Sequence, residues 1–149
     1  MLRDYLKLYK SLNDNKVKYL IIGGIAAIVY GVPRTTLDID IFIEPSQENA
    51  TRLLKALKDS GFGTASLTTP LKIVRNEINV FEDYLRVDVF TKPKALVFDK
   101  VWKNKKVKII NGIKVNFASI EDIIISKKAS KRPLDKEDIK ILLQILKKK

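Results

Sequence analysis

The most constraining feature of the sequence is an alternating run at residues 37–43, Leu-Asp-Ile-Asp-Ile-Phe-Ile. Successive side chains of a β-strand point to opposite faces, so Asp38 and Asp40 would lie side by side on the face opposite the aliphatic residues. Their Cα atoms would be about 6.5–7 Å apart. Because like charges on one face repel, the run predicts a strand that holds a cation. The alternative is an exposed strand face with two solvated carboxylates.

Composition restricts the chemistry that these carboxylates can support. The chain has 149 residues and contains neither Cys nor His. Disulfides, thiolate nucleophiles, imidazole metal sites and Ser-His-Asp catalysis are therefore excluded. Carboxylates remain as anionic metal ligands, and they suit hard cations such as Mg²⁺.

Positive charge is concentrated in the last third of the chain. Residues 100–149 contain 15 Lys and Arg against 5 Asp and Glu, a net charge of +10, whereas the whole chain carries +12. Such a region would attract a polyanion, with strongly salt-dependent binding. The alternative is a solvated, lysine-rich surface of the kind found in some heat-adapted proteins.

A pair of glycines lies upstream of the Asp-rich run. Gly23 and Gly24 follow a short β-type segment at residues 17–22 and precede a short apolar helix predicted over residues 25–30. Free backbone N–H groups at such a junction can bind phosphate, although the pair could also serve only as a turn. Neither a Walker A sequence nor a G-x-G-x-x-G sequence is present, so neither a P-loop nor a classical dinucleotide site is expected.

A second alternating run, residues 85–90, places Arg86 and Asp88 on one face. If this strand lies next to the first, Asp88 can join the other two carboxylates, and three carboxylates on adjacent strands are suited to metal-assisted phosphoryl transfer. Glu44, Glu82 and Asp83 are alternative third ligands. We favour Asp88 because it lies in mid-strand between apolar residues.

The remaining pattern predicts an α+β (mixed α/β) fold, a small mixed sheet flanked by helices with a helical segment at the C-terminus. Helices are expected over residues 2–14, 46–60, 119–130 and 133–146, with a short one after Pro93. Further strands are expected over 71–81, and at 106–110 and 113–117 around the Asn111-Gly112 turn. The chain is interpreted as one domain, residues 1–149, with an α/β core over 1–117 and C-terminal helices over 118–149.

Taken together, these motifs resemble the nucleotidyltransferase fold superfamily, to which polymerase β belongs. Residues 22–41 are most similar to small prokaryotic nucleotidyltransferases, which share a Gly-Gly, an Arg-x-Thr and an Asp-Ile-Asp-Ile in this order. Residues 121–138 resemble their helical Lys and Arg-Pro-x-Asp-x-x-Asp tail. The tail charges Arg132, Asp135 and Asp138 are also explained by the preference for such charges at helix ends.

The resemblance implies a role for each matching residue. Asp38 and Asp40 would bind two Mg²⁺ ions, and Asp88 would bind one metal and act as general base for the acceptor hydroxyl. The nucleoside triphosphate would be bound by a second set of residues: Gly23, Gly24, Arg34, Thr35 and Lys127. Arg34 could instead position the loop before the metal-binding strand, and Lys128 is an alternative to Lys127.

The expected function is Mg²⁺-dependent transfer of NMP from an NTP (ATP, CTP or GTP) to an acceptor hydroxyl on RNA such as tRNA, on a protein or on a small molecule. The alternative is a weak or inactive nucleotide- or nucleic-acid-binding member that acts as a toxin–antitoxin component with a small partner protein. The charged N-terminus and the absence of a long apolar stretch predict a cytoplasmic protein with no membrane segment.

Overall fold

The computed structural model describes residues 5–148, in which helices and strands are interleaved along the chain. The helices are α1 (Leu6–Asp14), α2 (Gly23–Tyr30), α3 (Gln47–Asp59), α4 (Pro70–Arg75), α5 (Phe98–Lys103), α6 (Ile120–Lys128) and α7 (Pro133–Lys147). The strands are β1 (Tyr19–Ile22), β2 (Asp38–Ile43), β3 (Ile78–Glu82), β4 (Arg86–Phe90), β5 (Lys106–Ile110) and β6 (Ile113–Phe117). The predicted beginning of the first helix, at residues 2–4, lies outside the described residues.

The strands form one mixed sheet in the order β3-β4-β2-β1-β6-β5. β2 is antiparallel to β1 and parallel to β4, and β1 is parallel to β6. The two outer pairs, β3 with β4 and β5 with β6, are antiparallel hairpins. The expectation of an α/β chain with a small mixed sheet and flanking helices is therefore confirmed. The two alternating runs of the sequence are neighbouring strands near the middle of this sheet.

The alternation in β2 produces the two faces that it predicts. Ile39, Ile41 and Ile43 are fully buried in the core. Asp38 and Asp40 lie on the opposite face, as do the polar residues of β4, whose Val87 and Val89 are also fully buried. Burial of each such aliphatic side chain stabilises the fold by about 1.5–3 kcal/mol, and this gain determines which face of each strand is turned towards the core.

Local signals place several element ends where they are expected. The hydroxyl of Ser46 accepts a hydrogen bond from the backbone N–H of Asn49 at the start of α3. The hydroxyl of Ser119 does the same for Asp122 at the start of α6. Asn111 and Gly112 both have positive φ in the hairpin between β5 and β6, as a tight turn of this type requires.

One predicted strand, residues 71–81, is wrong over its first half. Residues 70–75 form the helix α4, and the strand β3 begins only at Ile78. The helix begins because the hydroxyl of Thr69 accepts from the backbone N–H of Lys72 while Pro70 occupies the first helical position. A hydroxyl cap followed by proline is a helix-start signal that outweighs the β-type composition of the segment.

The two C-terminal helices pack against each other and against α2. Leu142 of α7 is fully buried, and Ile123 of α6 is nearly so, so the hydrophobic core continues from the sheet into this helical segment. The contact brings the loop between α6 and α7 close to the end of β1, where Gly23 and Gly24 begin α2. No helix within residues 5–148 has the length and apolar character needed to span a bilayer.

Candidate active site

Three carboxylates lie on the polar face of two adjacent strands. In the parallel pairing of β2 with β4, Asp40 is directly opposite Asp88, and Asp38 is opposite Arg86. The register joins residues nearly 50 positions apart in the chain. Asp40 and Asp88 both line a cleft of about 780 Å³, together with Gly23 and Lys127. Asp88 therefore lies on the strand next to Asp40 and lines the same cleft.

The alternative third carboxylates lie elsewhere. Glu44 follows the far end of β2, where its carboxylate is 3.4 Å from Nζ of Lys18. Asp83 is in the turn between β3 and β4 and accepts a hydrogen bond from the hydroxyl of Thr64. Glu82 is exposed on β3. None of the three lines the cleft, so Asp88 is the carboxylate that the sheet places beside Asp40.

Asp40 is the most perturbed acid of the site. Burial raises its pKa, the negative charges of Asp88 and Asp38 raise it further, and the result is a pKa of about 6. Arg132 and Lys127 oppose this rise but do not cancel it. A carboxyl group held among other carboxylates in this way is stabilised in its charged form only if a cation approaches it.

Gly23 is required by the close approach of Asp40. A Cβ atom on Gly23 would lie only 2.1 Å from Oδ2 of Asp40, and the residue has a φ of +71°. Gly24 leaves room for a different side chain, because a Cβ there would lie 2.6 Å from Nη2 of Arg34. A side chain is therefore excluded at the two positions by different neighbours. At Gly23 its absence allows the carboxylate of Asp40 to reach the end of β1, and at Gly24 its absence makes room for the guanidinium of Arg34.

The guanidinium of Arg86 lies between two of the three carboxylates. Nε of Arg86 donates a hydrogen bond of 3.0 Å to Oδ1 of Asp88 and lies 3.9 Å from Oδ2 of Asp38. The hydrogen bond to Asp88 is the main reason why the pKa of Arg86 is raised. Within residues 5–148, no three acidic side chains converge closely enough to hold one metal ion as they stand. The alternation of residues 85–90 predicts that Arg86 lies on this face, but it indicates no role for the residue.

A buried ionic network joins the C-terminal helices to the loop before β2. Nζ of Lys127 donates to Asp135 at 3.1 Å and to Asp138 at 2.9 Å, and all three side chains are almost fully buried. Nη2 of Arg34 lies 3.5 Å from Oδ2 of Asp138. Asp135 also accepts two hydrogen bonds from Arg132. Burial alone would raise the pKa of Asp135, but hydrogen bonds from Arg132 and Ser130, together with the charge and hydrogen bond of Lys127, lower it to about 2.

The network is the part of the site that helix-end preferences failed to explain. Asp135 lies in the first turn of α7, as those preferences expect. The sequence feature that could have predicted the network is the three-residue spacing of Asp135 and Asp138, which places both acids on one face of a helix. Two acids on one face could both have been predicted to pair with Lys127.

The remaining predicted nucleotide-binding residues lie around the cleft rather than in its wall. Arg34 is largely buried beside Gly24, and its Nε has no hydrogen-bond partner among the described residues. Thr35 is exposed on the loop before β2. Lys128 is exposed on α6 and does not line the cleft, whereas Lys127 does.

The rim of the cleft is basic. Four exposed cations line it, against one exposed carboxylate, that of Glu77, and the cations are Lys92, Lys94, Lys131 and Arg132. The first two come from the loop after β4 and the last two from the loop between α6 and α7. Only Lys131 and Arg132 belong to the electropositive last third of the chain. The fold therefore adds Lys92 and Lys94 to the cleft, and the charge distribution along the sequence did not predict this.

The mixed sheet, the opposed Asp pair and the Gly-Gly start of α2 are the arrangement expected for a nucleotidyltransferase. The whole chain, residues 1–149, matches the family described as "Nucleotidyl transferase of unknown function (DUF2204)". The chain belongs to this family of nucleotidyltransferases, and the resemblance predicted from its motifs is confirmed.

Solved structures with a similar fold are consistent with this assignment. One is a proposed nucleotidyltransferase from Thermotoga maritima, with 19% identity and a TM-score of 0.56 over 99% of this chain and 93% of the other. A second is an antigenic nucleotidyltransferase-like protein from Paracoccidioides brasiliensis, with 20% identity and a TM-score of 0.59 over 95% of this chain and 75% of the other. At these identities the likeness concerns the fold. No curated protein has significant sequence similarity to the chain.

Proposed function

We propose that the protein transfers NMP from a nucleoside triphosphate to an acceptor hydroxyl in a Mg²⁺-dependent reaction. The observation that carries this proposal is the register of β2 against β4, which places Asp40 opposite Asp88 in the wall of a cleft that also contains Gly23. The cleft has the size of a small-molecule site. The family assignment supports nucleotidyl transfer, and the carboxylate oxygens of the site support Mg²⁺ as the metal.

The carboxylates fit a hard divalent cation. Asp38, Asp40 and Asp88 supply only oxygen ligands, and their mutual repulsion raises the pKa of Asp40, in addition to the effect of burial. These three residues would hold Mg²⁺ once the guanidinium of Arg86 turns away from Asp38 and Asp88 and the three carboxylates move closer together than they now lie. When bound, Mg²⁺ neutralises charge on the phosphates and orients the attacking and leaving oxygens.

The chain's own groups would then perform the remaining steps. The backbone N–H groups at the start of α2, freed by Gly23 and Gly24, would bind phosphate oxygens. Asp88 would accept the proton of the acceptor hydroxyl as it attacks the α-phosphorus, and pyrophosphate would leave. The hydrogen bond from Arg86 occupies the carboxylate of Asp88, so this hydrogen bond would have to be released before Asp88 could accept the proton.

We further propose that the acceptor is RNA. The basic rim of the cleft supports a polyanionic acceptor, because its four cations are exposed and come from two separate loops of the chain. A protein hydroxyl would need no such rim, and an aminoglycoside, which is itself a polycation, would be repelled by it. Transfer to RNA should therefore fall steeply with added salt, whereas transfer to a neutral acceptor should not.

The test is transfer of label from each of the four NTPs, labelled at the α-phosphate, to RNA, to the protein itself and to an aminoglycoside. We expect Mg²⁺-dependent labelling of RNA by the wild type and its loss in Asp40→Asn. Asp14→Asn is the matched control, because Asp14 is an exposed carboxylate on α1 that is paired with Lys10 and does not line the cleft. Equal labelling by wild type and Asp40→Asn would refute the assigned site.

The same assay addresses the binding-only alternative. The contacts of Arg86 with Asp38 and Asp88 favour this second function, because they occupy the carboxylates that the reaction needs. Tight NTP binding without labelling of any acceptor would establish it. The toxin–antitoxin role, the small partner protein and the cytoplasmic location stay predictions from the sequence.

A further inference from the structure

Arg132 is an exposed cation on the wall of the cleft that is held in place by a buried carboxylate. It directly precedes α7, and 73% of its side-chain surface is accessible, whereas that of Asp135 is only 2% accessible. Nε and Nη2 of Arg132 donate hydrogen bonds of 2.9 Å and 3.2 Å to the two carboxylate oxygens of Asp135. A guanidinium held by two hydrogen bonds to one carboxylate loses little further freedom when it binds a ligand.

The contacts with Asp135 leave much of the guanidinium available. An arginine has five N–H donors, and Asp135 uses two of them. Three donors therefore remain on a group that lines the cleft. The geometry of these donors suits the oxygens of a phosphate chain.

Lys127, the cation that the resemblance assigned to the triphosphate, is less available. Its side chain is only 6% exposed, and its ammonium is already bound by Asp135 and Asp138. Two of its three donors are used inside the protein. A ligand that recruited Lys127 would have to share it with two buried carboxylates.

The charge of the network also favours a bound anion. Three cations, Lys127, Arg132 and Arg34, share two carboxylates, Asp135 and Asp138, so the group carries a net charge of +1. Arg132 is the most exposed of the three cations, and the excess charge is therefore presented to the cleft largely through its guanidinium. Arg132 is also close enough to Asp40 that each influences the ionisation of the other.

We propose that Arg132, positioned by Asp135, binds the phosphate chain of the nucleoside triphosphate. This inference rests on the proposed function, since it assigns a residue to the same cleft. It makes Asp135 a positioning residue and leaves Lys127 as the buried cation that neutralises Asp135 and Asp138. Phosphate groups of an RNA acceptor offer the same chemistry, so the experiment must separate the two sources.

The experiment measures binding by isothermal titration calorimetry in the presence of Mg²⁺. The probes are non-hydrolysable analogues of the four NTPs, inorganic tripolyphosphate, the corresponding NMPs and an RNA oligonucleotide. The variants are Arg132→Gln and Arg132→Lys, which should fold because the side chain is exposed. Arg52→Gln is the matched control: Arg52 lies on α3, is paired with Glu48 and is not part of the cleft.

We expect Arg132→Gln to weaken binding of the preferred NTP analogue and of tripolyphosphate about tenfold, because a charge-assisted contact is lost. Arg132→Lys should recover part of this loss, and NMP binding should change little. Unchanged triphosphate affinity in Arg132→Gln would overturn the proposal, as would a loss confined to RNA. If the wild-type protein bound neither NTP nor tripolyphosphate, the proposed function and this inference would both fail. If the wild type bound them and Arg132→Gln bound them equally well, only this inference would fail.

Discussion

Replacement of Gly23 by alanine should disable the site while leaving the fold intact. The added Cβ would lie 2.1 Å from Oδ2 of Asp40, and ordinary van der Waals contact begins at 3.4 Å. The carboxylate must therefore move by about 1.3 Å, the difference between these two distances. Displacement of a reacting or ligating group by about 1 Å costs on the order of 100-fold in activity.

The substitution also carries a backbone cost that must be separated from the displacement. Gly23 has a φ of +71°, and an L-residue in this region is destabilised by about 1–2 kcal/mol. For a chain of this size, that corresponds to a fall in Tm of about 2–8 °C. Gly112→Ala is the matched control, because Gly112 has a φ of +81° and, apart from its two chain neighbours, no residue among 5–148 has an atom within 4 Å of the position of its Cβ.

Two assays distinguish the effects. Thermal unfolding followed by circular dichroism should show a loss for both variants from the positive φ that they share, and any larger loss for Gly23→Ala measures the cost of displacing Asp40. Titration with Mn²⁺, followed by electron paramagnetic resonance, together with the labelling assay, should show a large loss only for Gly23→Ala. Equal Mn²⁺ affinity and equal activity in the two variants would show that the site does not need glycine at position 23 to make room for Asp40.

Three further perturbations test the charged groups of the site. Arg86→Gln should strengthen Mn²⁺ binding by up to about fivefold in calorimetry, because the cation no longer competes with a guanidinium for Asp38; weaker binding would contradict this. Lys127→Met should destabilise the fold by about 3–5 kcal/mol in urea, because it leaves Asp135 and Asp138 buried without their common cation; a loss under 1 kcal/mol would contradict the network. Asp135 has a folded-state pKa of about 2, below its unfolded value, so its contribution to stability is full above about pH 5 and is lost as the pH falls towards 2. Asp135→Asn should therefore make the free energy of unfolding depend less on pH between about 2 and 5. An unchanged pH profile would refute the assigned role of Asp135.

Much of the fold could be predicted because its signals are local. The alternation at residues 37–43 determines both the strand and the face that carries Asp38 and Asp40, since side chains alternate along any β-strand. Ser46 and Ser119 mark helix starts through contacts within one turn. The misassigned half of residues 71–81 is instructive, because a local signal was present there too: Thr69 and Pro70 begin a helix that the apolar composition obscured.

The candidate site was predictable only as far as the resemblance and the strand faces allowed. Asp88 was chosen among four carboxylates, and the pairing of β2 with β4 supports that choice by placing it opposite Asp40. Arg86 was visible on the correct face, but its contacts with Asp38 and Asp88 depend on side-chain conformation across two strands.

The sequence by itself determined which chemistry is available and which residues share a face. The lack of Cys and His leaves carboxylates as the anionic ligands, and the period of two along a strand places Asp38 beside Asp40. The tertiary structure decided which charges meet. Lys127 lies between Asp135 and Asp138, and Arg132 reaches the cleft, because α7 folds back on α6 and both pack on α2. Such contacts follow from helix packing and loop closure, and no local periodicity encodes them.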